Sequence, residues 1–141
     1  MKKLMMILIS SVLFGSCHKP SVDIVAEKTN TLTTGTWRFT GYNYRNAIST
    51  VTYSSLPDCR KDDLRNFKND GTYEINEGIS KCNASDPQST FGQWKFLNDH
   101  ASRIELDGKE FVVDRLDNGQ FEIHSYSTDP YAPETSYTFN K

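Results

Sequence analysis

Cys59 and Cys82, three histidines and two acidic pairs are the side chains of this 141-residue chain whose types could support chemistry. The midpoint between the two cysteines falls at Asp70 and Gly71, a turn signal, so antiparallel pairing of the flanking segments carries the thiols nearly opposite each other. A thiolate metal site is the rival reading, and it needs further Cys or His at ligand spacing; none is near in sequence. His18 adjoins a third cysteine, Cys17; His100 sits in a polar turn; His124 falls on the face opposite Phe121 and Ile123. All three read as solvated. Asp62 with Asp63, and Asp114 with Asp117, raise a calcium or paired-carboxylate reading, but they lack the spacing of a calcium loop, and charged turn residues are the simpler account. Neither a nucleophile elbow nor a phosphate-binding glycine loop is present. The expectation is a protein that is not an enzyme and uses no metal or cofactor.

Cys17 closes a different kind of segment. Lys2 and Lys3 form a basic start, residues 4–14 are apolar apart from Ser10 and Ser11, and Gly15 and Ser16 are small. That is the pattern of a secretory signal over 1–16, and the apolar run is shorter than the ~20 residues a transmembrane helix needs. The run Leu13-Phe14-Gly15-Ser16-Cys17 resembles the lipobox of bacterial lipoproteins, with Phe14 where Leu is usual. The resemblance implies that Cys17 is acylated and becomes the new amino terminus. Two or more acyl chains anchor a protein stably, at ~0.8 kcal/mol per buried methylene. It also implies a place in the cell envelope, at the outer membrane of a Gram-negative bacterium, where oxidising conditions would join Cys59 to Cys82. Closing a loop of roughly 24 residues contributes ~3.5 kcal/mol by loop-closure entropy.

Loss of Lys2 and Lys3 with the signal takes the formal charge from −2 to −4. The remaining charges are mixed, which argues against nucleic acid as a partner and against a polybasic membrane face. About 125 residues suffice for one domain with its own core. Residues 17–34 show no clear period and read as a lipidated tether ahead of a domain over 35–141.

The elements that must position these residues are strands. Short segments rich in Val, Ile, Thr, Phe, Tyr and Trp alternate with turn signals at Asn69-Asp70-Gly71, Asp107-Gly108 and Asp117-Asn118-Gly119, where glycine supplies the positive φ of a tight hairpin. Strands are expected at 36–44, 49–54, 64–68, 72–76, 92–97, 102–106, 110–116, 120–127 and 135–140. Two longer connections, 55–63 and 77–90, are the candidate functional loops. Alternation puts Trp37 with Phe39, Trp94 with Phe96, Phe111 with Val113 and Phe121 with Ile123 on one face. Eight or nine such strands hide their edges by closing into an all-β, antiparallel up-and-down barrel, or by folding into a two-sheet β-sandwich.

Gly35-Thr36-Trp37-Arg38-Phe39 and Gly92-Gln93-Trp94-Lys95-Phe96 repeat Gly-x-Trp-basic-Phe, and the first resembles the Gly-x-Trp that opens the first strand of lipocalins. With Cys59-Arg60-Lys61-Asp62-Asp63, the run Phe67 to Tyr73, Glu77-Gly78 and Lys81-Cys82, residues 34–141 resemble the lipocalin-like domains of small lipoproteins of Gram-negative anaerobes. The resemblance implies fold more than ligand. Trp37, Phe39, Phe67, Tyr73, Trp94, Phe96, Phe111 and Phe121 are candidates to line a hydrophobic pocket or to fill a core, and aromatics at strand period more often do the second. Two functions stay open. One is a carrier of a small hydrophobic or amphipathic ligand. The other is a protein-interaction module, an envelope inhibitor or accessory subunit, using the long loops and the aromatics Tyr42, Tyr44, Tyr126 and Tyr131.

Overall fold

The computed structural model describes residues 23–45, 50–53, 56–129 and 132–141. The signal segment, Cys17, His18 and Tyr131 lie outside the described residues. The described residues form a helix α1 (Ile24–Thr33) and nine strands: β1 (Trp37–Arg45), β2 (Thr50–Tyr53), β3 (Leu64–Phe67), β4 (Thr72–Asn76), β5 (Ser89–Phe96), β6 (Arg103–Leu106), β7 (Lys109–Leu116), β8 (Gln120–Ser125) and β9 (Glu134–Asn140). Each expected strand is present. All ladders are antiparallel, and the meander from β3 to β9 closes through β1, which pairs β9 from Arg38 with Asn140 to Arg45 with Glu134. The result is a closed eight-stranded barrel and not a sandwich. β2 is a ninth strand, paired only with the far half of β1, from Tyr42 with Tyr53 to Arg45 with Thr50. The near half of β1 pairs β3, and only at Trp37 with Arg65 and Arg38 with Leu64. Above that point the seam between β1 and β3 opens.

Gly71 (φ 82°) and Gly108 (φ 79°) take the left-handed backbone that their hairpins require. The third turn is built differently. Gly119 is not among the positive-φ residues, and the Asp117 carboxylate holds the turn by accepting from the backbone N–H of Gly119 (2.9 Å) and Gln120 (2.8 Å). An Asx turn of this kind satisfies backbone donors without glycine's special conformation.

The stretch expected as tether, 17–34, ends in a helix that belongs to the folded unit. Asp23 caps α1, its side chain accepting from the Ala26 N–H (3.0 Å). Leu32 is fully buried in the core, and its carbonyl accepts from Trp37 Nε1 (2.7 Å). Lys28 Nζ donates to the Leu116 carbonyl and Lys141 Nζ to the Thr31 carbonyl near the helix C-terminus, where a cation is favoured. The helix therefore plugs the base of the barrel. No helix among the described residues is long and apolar enough to cross a membrane.

Above the plug the core is aromatic. Trp37 meets Phe121 edge-on (5.8 Å), Phe67 meets Trp94 and Phe121 (both 5.9 Å), and Phe121 stacks on Phe139 (5.5 Å). Such pairs add to the stabilisation from burial itself. Trp94 Nε1 donates to the carbonyls of Lys68 (3.0 Å) and Thr72 (3.1 Å), so neither indole is left without a partner. Gly92 lies in register with Tyr73, and a Cβ there would come within 2.3 Å of the tyrosine ring. Glycine is what lets the Tyr73 ring cross β5.

Candidate functional site

The inward face of β3 changes character along its length. Phe67 is core; two residues back Arg65 points into the open upper half of the barrel; two further back Asp63 reaches the mouth and is 8% exposed. On β4 the neighbours repeat the gradient, with Tyr73 opposite Phe67 and Ile75 opposite Arg65, and Glu77 following just past the strand. A cavity of about 500 Å³ opens here. Phe39, Tyr42, Ile75 and Tyr137 form its apolar wall, and Arg60, Asp63, Arg65 and Glu77 supply its charges. A smaller cavity of about 210 Å³ continues beneath it, sharing Arg65 and Tyr137 and bounded by Tyr73, Asp107, Lys109 and Phe111.

The two long loops, 55–63 and 77–90, meet at this mouth and contribute Arg60, Asp63, Glu77 and Thr90 to it. The Cys59–Cys82 disulfide joins them, with the Cα atoms 4.9 Å apart. Asp62 adds a second clasp, accepting from the N–H groups of Ile79 (2.7 Å) and Ser80 (3.0 Å). The Ser80 and Ile79 hydrogen bonds hold the Asp62 carboxyl below the usual carboxylate range.

Electrostatics inside the mouth are unbalanced. Burial, reinforced by Glu77, pushes the Asp63 carboxyl up, and Asp63 Oδ1 is buried without a hydrogen-bond partner among the described residues. Burial likewise depresses the Arg65 guanidinium, whose carbon lies 4.9 Å from the centre of the Phe139 ring. Among the described residues no hydrogen bond or ion pair reaches that guanidinium. In the lower cavity the Tyr73 hydroxyl donates to Asp107 Oδ2, and burial together with that bond pushes the phenol up to about 12.

Of the eight aromatics singled out in the sequence, Trp37, Phe67, Tyr73, Trp94 and Phe121 are buried in the core, while Phe39, Phe96 and Phe111 are partly buried and pack against it. Phe39 also lines the upper cavity, and Tyr73 and Phe111 the lower. Tyr42, expected among exposed aromatics, points inward and stacks on Phe39, because Thr40 is an extra residue in β1 that resets the alternation. Tyr126 is exposed, with Arg103 3.8 Å over its ring. His124 contacts Asp114 through Nδ1 (2.8 Å), Asp117 serves its turn, and no group of three potential metal ligands converges among the described residues. The charged lining was missed by the sequence reading. Its legible signal is Arg65, two residues from the inward Phe67.

No family model matches the chain, and no curated protein matches it in sequence.

Proposed function

We propose that this chain is a lipid-anchored lipoprotein of the Gram-negative envelope, held at the outer membrane through Cys17, whose lipocalin-like barrel carries a small amphipathic molecule in its mouth. The observation that carries the ligand reading is the cavity of about 500 Å³, with one apolar wall and the charged side chains of Arg60, Asp63, Arg65 and Glu77, above a base sealed by aromatic rings. Pockets that bury small ligands begin at ~300 Å³ and pair an apolar lining with a few polar groups. The charges shift the expected ligand from a purely hydrophobic compound to one with a polar end. The run Leu13 to Cys17 supports the anchor.

The ligand reading is tested by native mass spectrometry of protein taken from its own envelope, followed by an inventory of what denaturation releases. A small molecule bound by the wild type and lost from Phe39→Ala and Tyr42→Ala is expected. An empty wild-type protein that co-purifies instead with another envelope protein would replace this reading by the interaction module. That alternative draws on Ile79, 98% exposed, and Phe91, 70% exposed, on the connection and strand that follow β4. For the anchor, metabolic labelling with a fatty-acid analogue should mark the wild type and leave Cys17→Ala unlabelled; label on both would remove the lipoprotein reading.

A further inference from the structure

We infer that Arg65 is the floor of an anion subsite, and that the cavity takes an amphiphile with a single carboxylate or sulfonate head seated on this guanidinium and an apolar body lying against Phe39, Ile75 and Tyr137. The inference rests on the ligand reading above and names the ligand's chemical class.

Three observations carry it. First, Arg65 occupies an inward position at the junction of the two cavities, directly above Phe67 and the sealed base. A cation taken out of bulk water is disfavoured unless something compensates it; Tyr73, Asp63 and Tyr137 act on Arg65 electrostatically, but among the described residues no ion pair or hydrogen bond reaches its guanidinium. Secondly, the guanidinium lies over the face of Phe139, 4.9 Å from its centre. A guanidinium held by an aromatic face keeps its in-plane N–H groups available, and that rigid fork matches a planar oxyanion. Thirdly, the acids of the mouth are placed beyond it. Asp63 stands just before β3, one strand period or ~7 Å from Arg65, and among the described residues its own Oδ1 has no hydrogen-bond partner instead of meeting the fork. Arg60 on the same rim offsets one of the two carboxylates, Asp63 and Glu77, so the entrance does not repel a monoanion outright.

The test uses the full chain carrying Cys17→Ala, so that no acyl chain competes for the cavity. It compares two fluorescent probes with the same aryl body, anionic 1-anilinonaphthalene-8-sulfonate and neutral N-phenyl-1-naphthylamine. The wild type should bind the anionic probe at least about tenfold more tightly, the effect of one charge-assisted hydrogen-bond pair. Arg65→Met should abolish that preference while leaving neutral-probe affinity within about twofold, and Arg65→Lys, which keeps the charge without the fork, should retain part of it. Thermal melts check that each variant folds; Arg65→Gln replaces Arg65→Met if the latter does not. Equal binding of both probes by the wild type, or an anionic preference that survives Arg65→Met or Arg65→Gln, overturns the anion subsite and leaves the cavity reading intact. Failure of the wild type to bind either probe overturns the cavity reading itself.

Discussion

At the base of the barrel the inward positions carry Trp37, Phe67 and Phe139, whose ring centres each lie 5.5 to 5.9 Å from that of Phe121, and α1 covers this cluster from below. At the mouth β1 and β3 carry Tyr42 and Arg65, and the connections beside them carry Asp63 and Glu77, around open volume. A two-residue step on β3 separates the two regimes, since Phe67 belongs to one and Arg65 to the other. Closed barrels of eight strands have an interior that side chains can just fill. Here large rings fill the lower half, so the upper half can give up packing and hold groups that gain nothing from burial. Changes at the base should therefore register as lost stability, and changes at the mouth as altered binding at little cost to the fold.

Trp37→Ala should give the largest effect, a loss of about 3–5 kcal/mol, because it empties a fully buried site and strands the Leu32 carbonyl. Arg38→Ala, one residue away and exposed, should change stability by no more than about 0.5 kcal/mol. Denaturant midpoints at matched slopes measure both. Equal losses at the two positions would mean that the base is not the structural half.

The disulfide belongs to the mouth yet should show next in stability. The two cysteines are 23 residues apart in sequence, and replacing Cys59 and Cys82 together by Ser should cost about 3.5 kcal/mol by loop-closure entropy. The same change frees the loops that bring Arg60 and Glu77 to the cavity, so probe affinity should fall in variant protein that is still folded at low temperature. Calorimetry and probe titration on one sample separate the two effects. An unchanged affinity would show that Asp62 and its bonds to Ile79 and Ser80 hold the mouth alone.

The contrast between base and mouth also marks what the sequence could reveal. The strands, the order from β3 to β9 and the pairing of Cys59 with Cys82 follow from alternation and turn signals, because each expresses a local rule that the barrel obeys, whereas β2 leaves the expected meander and lets β1 pair β3 directly. Alternation fails where a strand carries an extra residue. Thr40 in β1 turns Tyr42 inward, and the irregularity between Val113 and Arg115 in β7 puts Leu116 on the same buried side as Phe121. Nothing local announces either bulge. α1 escaped notice for a related reason: it buries a single residue, Leu32, and draws its place from distant partners, Leu116 and Lys141, so it shows no apolar stripe. The charged lining was obscured because Asp63 and Arg65 look like surface residues until the opening of the β1–β3 seam shows that their face encloses a cavity.

The smallest effect is the most direct probe of the mouth. Asp63→Asn should stabilise the protein at neutral pH, by no more than about 1 kcal/mol, by removing a carboxylate that burial and Glu77 disfavour. The sign follows from linkage. The folded-state pKa of Asp63 is raised, so its proton is held more tightly in the folded than in the unfolded chain, and the wild type loses stability relative to a non-titrating side chain as pH rises from the unfolded value near 4 through the folded one. The advantage of Asp63→Asn should thus be absent below about pH 4, grow above it and then level off. Asp117, whose bonds to the Gly119 N–H, Arg115 and the Gln120 N–H lower it to about 2, and Asp62, also lowered, work in the opposite sense. They remove stability from both proteins as pH falls through their depressed values, so the difference between variant and wild type isolates Asp63. Paired thermal melts between pH 3 and pH 8 measure it. A variant that is less stable than the wild type at pH 7 would mean that the Asp63 carboxylate is paired in solution and that the mouth is packed in the same manner as the base.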